Sequence, residues 1–339
     1  MSALADPDRD SAVARRALPR YSIALCTYNG AAFLGQQLAS ILHADTPIDE
    51  VVLIDDVSSD RTLEIAAGLS EQTNIFFFIE RNDKTLGSVH NFEKALAQTR
   101  GHIVFLSDQD DVWRESKAQR LIDEFERRPD LLLLHTDARL VDADGNALKS
   151  SLFEALEVSG AERAAIRNGN AFGAFLRRNL ATGATMAVRR SLFEFAFPFP
   201  DDWVHDEWLA IVAAAIGTVD FIDEQLIDYR QHSRNQIGAR RLSLGEKVRK
   251  AFQRRGDFYA RQERRTIALL ERLVSLGSVV PADRIEMVRE KVAHARFRAS
   301  LPRNRLARIV PVVREIMTGR YARYSTGFRS IVRDFFEPA

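Results

Sequence analysis

Ser107-Asp108-Gln109-Asp110-Asp111-Val112-Trp113 places three carboxylates within four positions, directly after the apolar run Ile103-Val104-Phe105-Leu106. Carboxylates one residue apart at a strand end can both face a hard cation. Mg2+ and Mn2+ take one or two such ligands together with substrate phosphates. The competing reading, a solvated acidic turn, must accept repulsion among the clustered carboxyl groups unless a cation is normally present. A second pair, Asp55-Asp56, follows Val51-Val52-Leu53-Ile54. A carboxylate there can accept a hydrogen bond from a nucleobase imide or a ribose hydroxyl. Its competing role is to cap the next helix, and Ser58 or Ser59 already offers that cap. A third acidic group, Asp206-Glu207, sits between His205 and Trp208.

Positioning these groups needs rigid elements. Tyr21 to Cys26, Val51 to Ile54, Ile75 to Ile79, Ile103 to Leu106 and Leu131 to Leu134 are short apolar runs that read as buried strands. Between them Phe33 to Leu42, Thr62 to Leu69, Val89 to Ala97 and Trp113 to Arg127 carry apolar residues at helical spacing. Fully apolar strands alternating with helices predict an α/β domain, a mostly parallel sheet covered on both faces. Ligands bind such sheets beyond the carboxyl ends of the strands. The polar clusters fall there: Thr27-Tyr28-Asn29, Asp55-Asp56, Arg81-Asn82-Asp83 and Asp108-Gln109-Asp110-Asp111. Four clusters on one edge make a site.

The 339 residues suit about two domains, and 46% apolar content supports a large core. One cysteine, Cys26, excludes an internal disulfide and a multi-cysteine zinc site. Residues 1–19 read as a polar, disordered lead-in with no secretory h-region. No run approaches the roughly 18 apolar residues of a membrane span. A cytoplasmic protein is expected. The net charge of +1 conceals a division: residues 240–339 hold 24 Lys/Arg against 10 Asp/Glu, a net of +14, and the remainder carries −13. A basic end on an acidic body suits an anionic membrane surface, or mutual attraction of the two parts. Nucleic acid is not expected, because no recognisable binding motif is present.

Tyr21-Ser-Ile-Ala-Leu-Cys-Thr-Tyr-Asn-Gly30, Val51-Val-Leu-Ile-Asp-Asp-Val-Ser-Ser-Asp60 and Gly101-His-Ile-Val-Phe-Leu-Ser-Asp-Gln-Asp-Asp111 resemble, in order and spacing, glycosyltransferase family 2. Ser-Asp-Gln-Asp-Asp-Val-Trp, with Arg81-Asn82-Asp83 and Leu86-Gly87 before it, resembles its bacterial rhamnosyltransferase branch. The resemblance covers residues 21–145 strongly, extends more weakly to about 238 and then stops. It implies the GT-A fold, a nucleotide-diphosphate sugar donor (dTDP- or UDP-linked, with dTDP-L-rhamnose the first choice), Mg2+ or Mn2+, and inversion at the anomeric carbon. It implies that Asp56 reads the base beside the backbone of Cys26 and Thr27. Asp108, Asp110 and Asp111 then serve ribose, metal and diphosphate, with the direct ligand left open. It implies a general base on His205-Asp206-Glu207, where Asp206 is the choice and Glu207 the fallback. An in-line displacement asks for the same thing, a carboxylate deprotonating the acceptor on the face opposite the leaving diphosphate.

Two further segments fit that frame. Thr182-Gly183-Ala184-Thr185-Met186 resembles a small-residue segment lining the sugar pocket, or is an ordinary bulged strand. His232 and Arg230, after the apolar Gln225 to Ile227 run, are expected to reach the metal and the diphosphate respectively. The processive Gln-x-x-Arg-Trp signature is not present, which favours transfer of a single sugar to a glycan or lipid-linked acceptor of a bacterial surface polysaccharide. The expected division is a catalytic domain over 20–239, with a nucleotide-sugar half over 20–112 and an acceptor half over 113–239, then a basic helical region over 240–339. In that last region Leu244, Val248 and Phe252 begin a helical pattern, and Tyr321, Tyr324, Phe328, Ile331, Phe335 and Phe336 form one face suited to a membrane surface, or to a helical bundle packed on the catalytic domain or on a second subunit. Two other functions compete. A nucleotidyltransferase would need a basic, glycine-rich loop after the first strand, and Thr27-Tyr28-Asn29-Gly30-Ala31-Ala32 has no basic residue. A basic scaffold leaves the acidic edge unexplained.

Overall fold

The computed structural model describes residues 20–46, 48–232 and 257–336. The lead-in over 1–19, the boundary near residue 240 and the positions Leu244, Val248 and Phe252 lie outside the described residues.

Nine strands form one sheet: β1 Tyr21–Thr27, β2 Glu50–Asp55, β3 Phe76–Arg81, β4 Ile103–Ser107, β5 Val112–Trp113, β6 Leu131–Val141, β7 Ala147–Ser151, β8 Met186–Arg189 and β9 Thr218–Arg230. Their order is β3-β2-β1-β4-β8-β6-β9-β5, with β7 paired to β6 outside that path. The first four strands are parallel, so the carboxyl ends of β1 to β4 share one edge. The rest is mixed: β8 runs antiparallel to both β4 and β6, β9 is parallel to β6, and β5 is antiparallel to β9. The expected mostly parallel sheet is therefore a mixed one. Its physical reason is the entry point of β8, which starts at the edge where β4 ends and so must run the other way.

Alternation along the strands feeds two cores. Ile23, Leu25, Val51, Leu53, Ile103 and Phe105 pack against α1 (Leu34–Leu42) and α4 (Lys117–Arg127). Ala24, Val52, Ile54, Val104 and Leu106 face the opposite layer, built by α3 (Gly87–Gln98) and helices from the second half of the chain. Helix α2 (Thr62–Ser70) follows β2, and α5 (Leu152–Ala155), α6 (Gly160–Arg167), α7 (Ala171–Arg177), α8 (Phe193–Ala196) and α9 (His205–Ile216) complete that half. The helix expected from Trp113 begins only at Lys117, because Val112 and Trp113 pair with Asp228 and Ile227 of β9. Neither Ser58 nor Ser59 caps α2. Ser58 turns back to Asp55, Ser59 binds Asn29, and Asp60 accepts the Thr62 N–H at 3.0 Å.

After residue 257 the chain is helical: α10 (Phe258–Ser275), α11 (Ala282–Ala299), α12 (Ile309–Met317), α13 (Arg320–Tyr324) and α14 (Phe328–Phe336). Leu269, Leu273, Val288 and Val292 join the same core as Phe172, Phe175 and Trp208. The basic end also pairs with the acidic body: Arg264 with Asp202, Arg265 with Glu207, and Arg329 with Glu157. The single aromatic face expected over Tyr321–Phe336 does not form. Tyr321 and Tyr324 are buried, and fully buried Asp334 accepts hydrogen bonds from Tyr321 Oη at 2.7 Å and from Arg298. That buried carboxylate fixes the helix rotation and turns the tyrosines inward.

Candidate active site

The four parallel strand ends build the site, and the second half of the chain closes it. Asp55 at the end of β2 is fully buried. Its oxygens accept from Thr27 Oγ1 at 2.9 Å, Ser58 N at 2.8 Å and Ser58 Oγ, so it ties the β1 and β2 loops together. With no exposed surface, Asp55 is corrected from a ligand to a structural tie between the β1 and β2 loops. Asn29, held at φ 49°, is likewise occupied: its Oδ1 accepts from Ser59 N at 2.8 Å. Thr27 contributes its carbonyl to Asp56 N at 2.8 Å, and the exposed Tyr28 ring stands over the edge.

Asp56 differs from its neighbour. It accepts from Asn82 Nδ2 at 2.9 Å, Leu86 N at 2.7 Å and Gly87 N at 2.9 Å, three of the about four bonds a carboxylate can take. The last two donors open α3, so the carboxylate lies against the positive end of that helix. Asn82 is spent on this placement. It binds Asp56 and Asn91 through its amide nitrogen and receives Lys94 Nζ at 2.8 Å, so it positions Asp56 and is corrected from a direct ligand. Arg81 is half exposed, 3.9 Å from Asp55, with its outer nitrogen on the Ser58 carbonyl.

Beyond β4 the acidic run closes over Tyr229, whose phenol is pushed well above its usual range by burial and then by Asp111, Asp108, Asp110 and Asp206. The Asp108 carbonyl accepts Ser107 Oγ at 3.2 Å, and its carboxyl group makes no hydrogen bond or ion pair among the described residues. Burial first, then Asp110 and Asp206, raise its pKa to about 7. Asp111 is buried; Oδ1 accepts Arg230 N at 3.0 Å, and Oδ2 has no partner. Burial and the neighbouring Asp110 and Asp108 raise that carboxyl as well. Asp110 meets His232 Nε2 at 2.8 Å, and the His232 ring stacks on Phe33 with centroids 4.9 Å apart.

Arg230 does not face a ligand. Its nitrogens donate to the carbonyls of Asp110 and Ala143 at 2.8 Å and to Gln36 Oε1 at 2.7 Å, and its guanidinium lies over Phe33. The expected diphosphate contact is corrected to a clamp that fixes the acidic loop onto β9.

Asp206 lies in the first turn of α9, not at its N-cap, because the helix begins at His205. Its Oδ2 accepts Gly183 N at 3.0 Å and its Oδ1 accepts Glu207 N at 2.6 Å. Burial raises its pKa to about 6, partly offset by those N–H donors and by Arg265. Gly183 is needed for close approach: a Cβ there would stand 2.7 Å from His205 Nε2. Buried His205 stacks on Phe92 at 4.0 Å with neither nitrogen partnered, and burial lowers its pKa to about 3. It is a neutral spacer between α3 and the Gly183 loop.

Two organising residues escaped the sequence reading. Gln109 brackets Tyr28, its Oε1 accepting Tyr28 N at 2.8 Å and its Nε2 donating to Tyr28 O at 3.1 Å; a Cβ on Gly30 would collide with it. Lys117 is buried beside the acids, donating to the Ala184 carbonyl at 2.7 Å and lying 3.8 Å from the Trp113 ring centroid. Burial lowers its pKa to about 7, against the opposing pull of Asp111 and Asp108. A lysine on the apolar face of α4, in line with Leu121 and Phe125, was the signal for it.

A parallel half-sheet, extended by a mixed sheet and edged with carboxylates, has a GT-A-type fold. The description of glycosyl transferase family 2 matches residues 22–194, half of the chain, and the protein belongs to that family. An uncharacterised glycosyltransferase of Nostoc sp. is 26% identical over 64% of this chain; the match spans 66% of that relative's length, just under two thirds. The dTDP-rhamnosyl transferase RfbG of Shigella flexneri is 25% identical over 70% of this chain and 81% of its own. Among solved structures, Staphylococcus aureus TarS 1-349 in complex with UDP-GlcNAc superposes with TM-score 0.56 at 17% identity, covering 82% of this chain and 72% of that one. The mannosyltransferase PcManGT of Pyrobaculum calidifontis, in complex with GDP-Man and Mn2+, gives 0.54 at 16% identity over 94% and 86%.

Proposed function

We propose that the protein transfers a single sugar, with inversion, from a nucleoside-diphosphate sugar to a glycan or lipid-linked acceptor of a bacterial surface polysaccharide. The observation that carries this reading is the convergence of Asp108, Asp110, Asp111 and Asp206 around Tyr229 at the carboxyl edge of β1 to β4. The likeness to RfbG makes dTDP-L-rhamnose the first donor to test, with UDP-linked sugars next. Asp56, braced by Asn82 and α3, is the group proposed to read the base. Thr27, Tyr28 and Arg81 flank it.

The site suits Mg2+ or Mn2+. The carboxyl oxygens of Asp108 and the Asp111 Oδ2, whose pKa values are raised by burial and by one another, would ionise against a cation, and His232 stands at Asp110. No group of three or more His, Cys, Asp or Glu side chains among the described residues already encloses an ion, so a diphosphate and water would supply the remaining ligands. Asp108, Asp110, Asp111 and His232 are the residues proposed to hold it. A bound cation would stabilise the departing diphosphate. The chain's own part is separate: Asp206 takes the proton of the acceptor hydroxyl, the Gly183 N–H keeps its carboxylate aimed, and Glu207 is held back by Arg265. Release of nucleoside diphosphate from dTDP-, UDP- and GDP-sugars, with Mg2+ or Mn2+, tests the proposal. One donor class is consumed; inertness toward all of them would refute it.

We also propose a catalytic unit over 20–239 and a helical unit over 240–339 that approaches an anionic membrane. No helix among the described residues is long and apolar enough to cross a bilayer. The surface suited to a peripheral contact is α12 and the turn before it, where Leu306, Ile309, Val310, Val313, Ile316 and Met317 are exposed. Arg303, Arg305 and Arg314 are exposed beside them, and the one acid nearby, Glu315, is buried. Apolar side chains framed by arginines suit an anionic interface. Co-sedimentation with vesicles containing phosphatidylglycerol is expected to fall at least about tenfold for Val310→Glu with Met317→Glu. Equal binding by the variant would remove the membrane contact from α12.

A further inference from the structure

The segment that leads into α9 is held from outside the sheet, by one face of α10. Arg261, Arg264, Arg265 and Arg272 recur there at helical spacing, and each reaches into residues 197–207. Arg264 pairs with Asp202 at 2.8 Å, and Arg261 donates to the Asp202 carbonyl at 3.2 Å. Arg272 donates to the carbonyls of Phe197 and Pro198 at 2.8 and 3.0 Å. The Arg265 carbonyl accepts Trp203 Nε1 at 2.9 Å, and its guanidinium lies 4.4 Å from the Trp203 ring centroid and pairs with Glu207. Leu269 and Leu273 seat α10 in the core that also holds Trp208 of α9. The C-terminal helix is thus fixed against the element that carries Asp206.

The charges around Asp206 show what this contact does. Glu207 and neutral His205 flank it on its own helix, Asp108 stands beyond β4, Tyr229 on β9 and Arg265 on α10. Arg265 is the cation of that set. Burial raises the Asp206 pKa to about 6, and the Arg265 charge acts against that shift. Lys291 on α11, tied to the Leu176 carbonyl, stands near the Arg265–Glu207 pair. Glu207 is adjacent to the base in the first turn of α9, so unpaired it would set a second negative charge beside Asp206. A like charge disfavours ionisation, and an opposite charge favours it. Only 13% of the Arg265 side chain and 22% of the Glu207 side chain are exposed, so solvent screens the pair only in part.

We propose that Arg265 is a positioning residue for the transfer step, through which the C-terminal helices complete the catalytic site. It draws Glu207 into an ion pair and, through Trp203, fixes the turn into α9, leaving Asp206 as the carboxylate that meets the acceptor. The acceptor hydroxyl passes its proton to Asp206 while its oxygen bonds the anomeric carbon. The diphosphate leaves with the electron pair of the broken bond. The inference rests on Asp206 being the base. It gives the basic C-terminal third a part in catalysis that is separate from membrane contact by α12.

The pH dependence of kcat and of the donor KM, for the full chain with dTDP-L-rhamnose or UDP-linked sugars, tests the proposal. Arg265→Gln should keep the donor KM within about threefold of wild type. Its acid limb should move up by at least about half a pH unit, so kcat falls about threefold near pH 5 and recovers near pH 8. Arg265→Lys keeps the charge and should return the limb to its wild-type position. Glu207→Gln leaves Arg265 unpaired beside Asp206 and should move the limb down, which carries the test if Arg265→Gln does not fold. Arg272→Gln removes two bonds to the same segment and no charge beside Glu207, so its limb should stay in place. Carbon-13 NMR of aspartate-labelled protein follows the Asp206 carboxyl without turnover. Its resonance, assigned by its loss in Asp206→Asn, should shift its midpoint in the same directions. A limb and midpoint unmoved in both Arg265→Gln and Glu207→Gln, or displaced as far in Arg272→Gln, would overturn the assignment. A limb that survives in Asp206→Asn would instead refute the base on which the inference rests.

Discussion

Asp206→Asn lowers kcat for sugar transfer by about 10²–10⁴-fold, the range over which a positioned general base contributes. Binding of the donor is expected to stay within about threefold of wild type, because Asp206 makes its hydrogen bonds to Gly183 N and Glu207 N and none to the Asp56 cradle or the acidic run. Asparagine keeps the size and the acceptor for Gly183 N, so a large loss reports the missing proton acceptor and not a collapsed loop. Calorimetry for donor affinity and a coupled nucleotide-release assay for kcat separate the two effects. A parallel loss of donor affinity would make Asp206 part of the donor pocket instead.

Asp110→Asn gives the second large effect. Cation-dependent turnover should fall by about 10²–10³-fold, the scale of losing one preorganised electrostatic contact in a shielded site. The asparagine side chain can still meet His232, now 2.8 Å from Asp110 Oδ2, so folding should be retained. Mn2+ affinity, read by electron paramagnetic resonance in the presence of nucleoside diphosphate, should weaken by at least about tenfold. Unchanged Mn2+ affinity would move the metal to Asp108 and Asp111 alone.

The half of the fold from Tyr21 to Ser107 was legible because each strand is apolar on both faces and each stops at a polar cluster. A fully buried strand is a continuous signal that needs no knowledge of its neighbours. The second half was not. β8 is four residues long, β5 is two, and β7 is mostly exposed, so none has a periodicity of its own. Their direction depends on where the chain re-enters the sheet, which only tertiary packing decides. For the site, the positions of the carboxylates were legible from spacing, and their division of labour was not. Asp55 and Asp56 are adjacent and chemically identical, yet one is sealed beneath the β1 and β2 loops while the other sits at the opening of α3. Arg230 shows the same limit: its type suits a diphosphate, but Gln36, Ala143 and Asp110 reach it first. At the C-terminal end the aromatic pattern misled because a single buried carboxylate, Asp334, draws Tyr259 and Tyr321 inward.

The measurement that bears most directly on the central claim is kcat against pH, from about 4.5 to 8, at saturating donor and cation. The Asp206 carboxyl has its pKa raised to about 6, chiefly by burial, with Gly183 N, Glu207 N and Arg265 opposing the shift and Asp108 the nearby acid on the far side. A base acts only when ionised, so the rate must rise about tenfold per pH unit below 6 and level off above it. Asp206→Asn should abolish that limb along with the activity. A rate that is flat or falling through this range, or a limb that survives in Asp206→Asn, would contradict the assignment of Asp206 as the base.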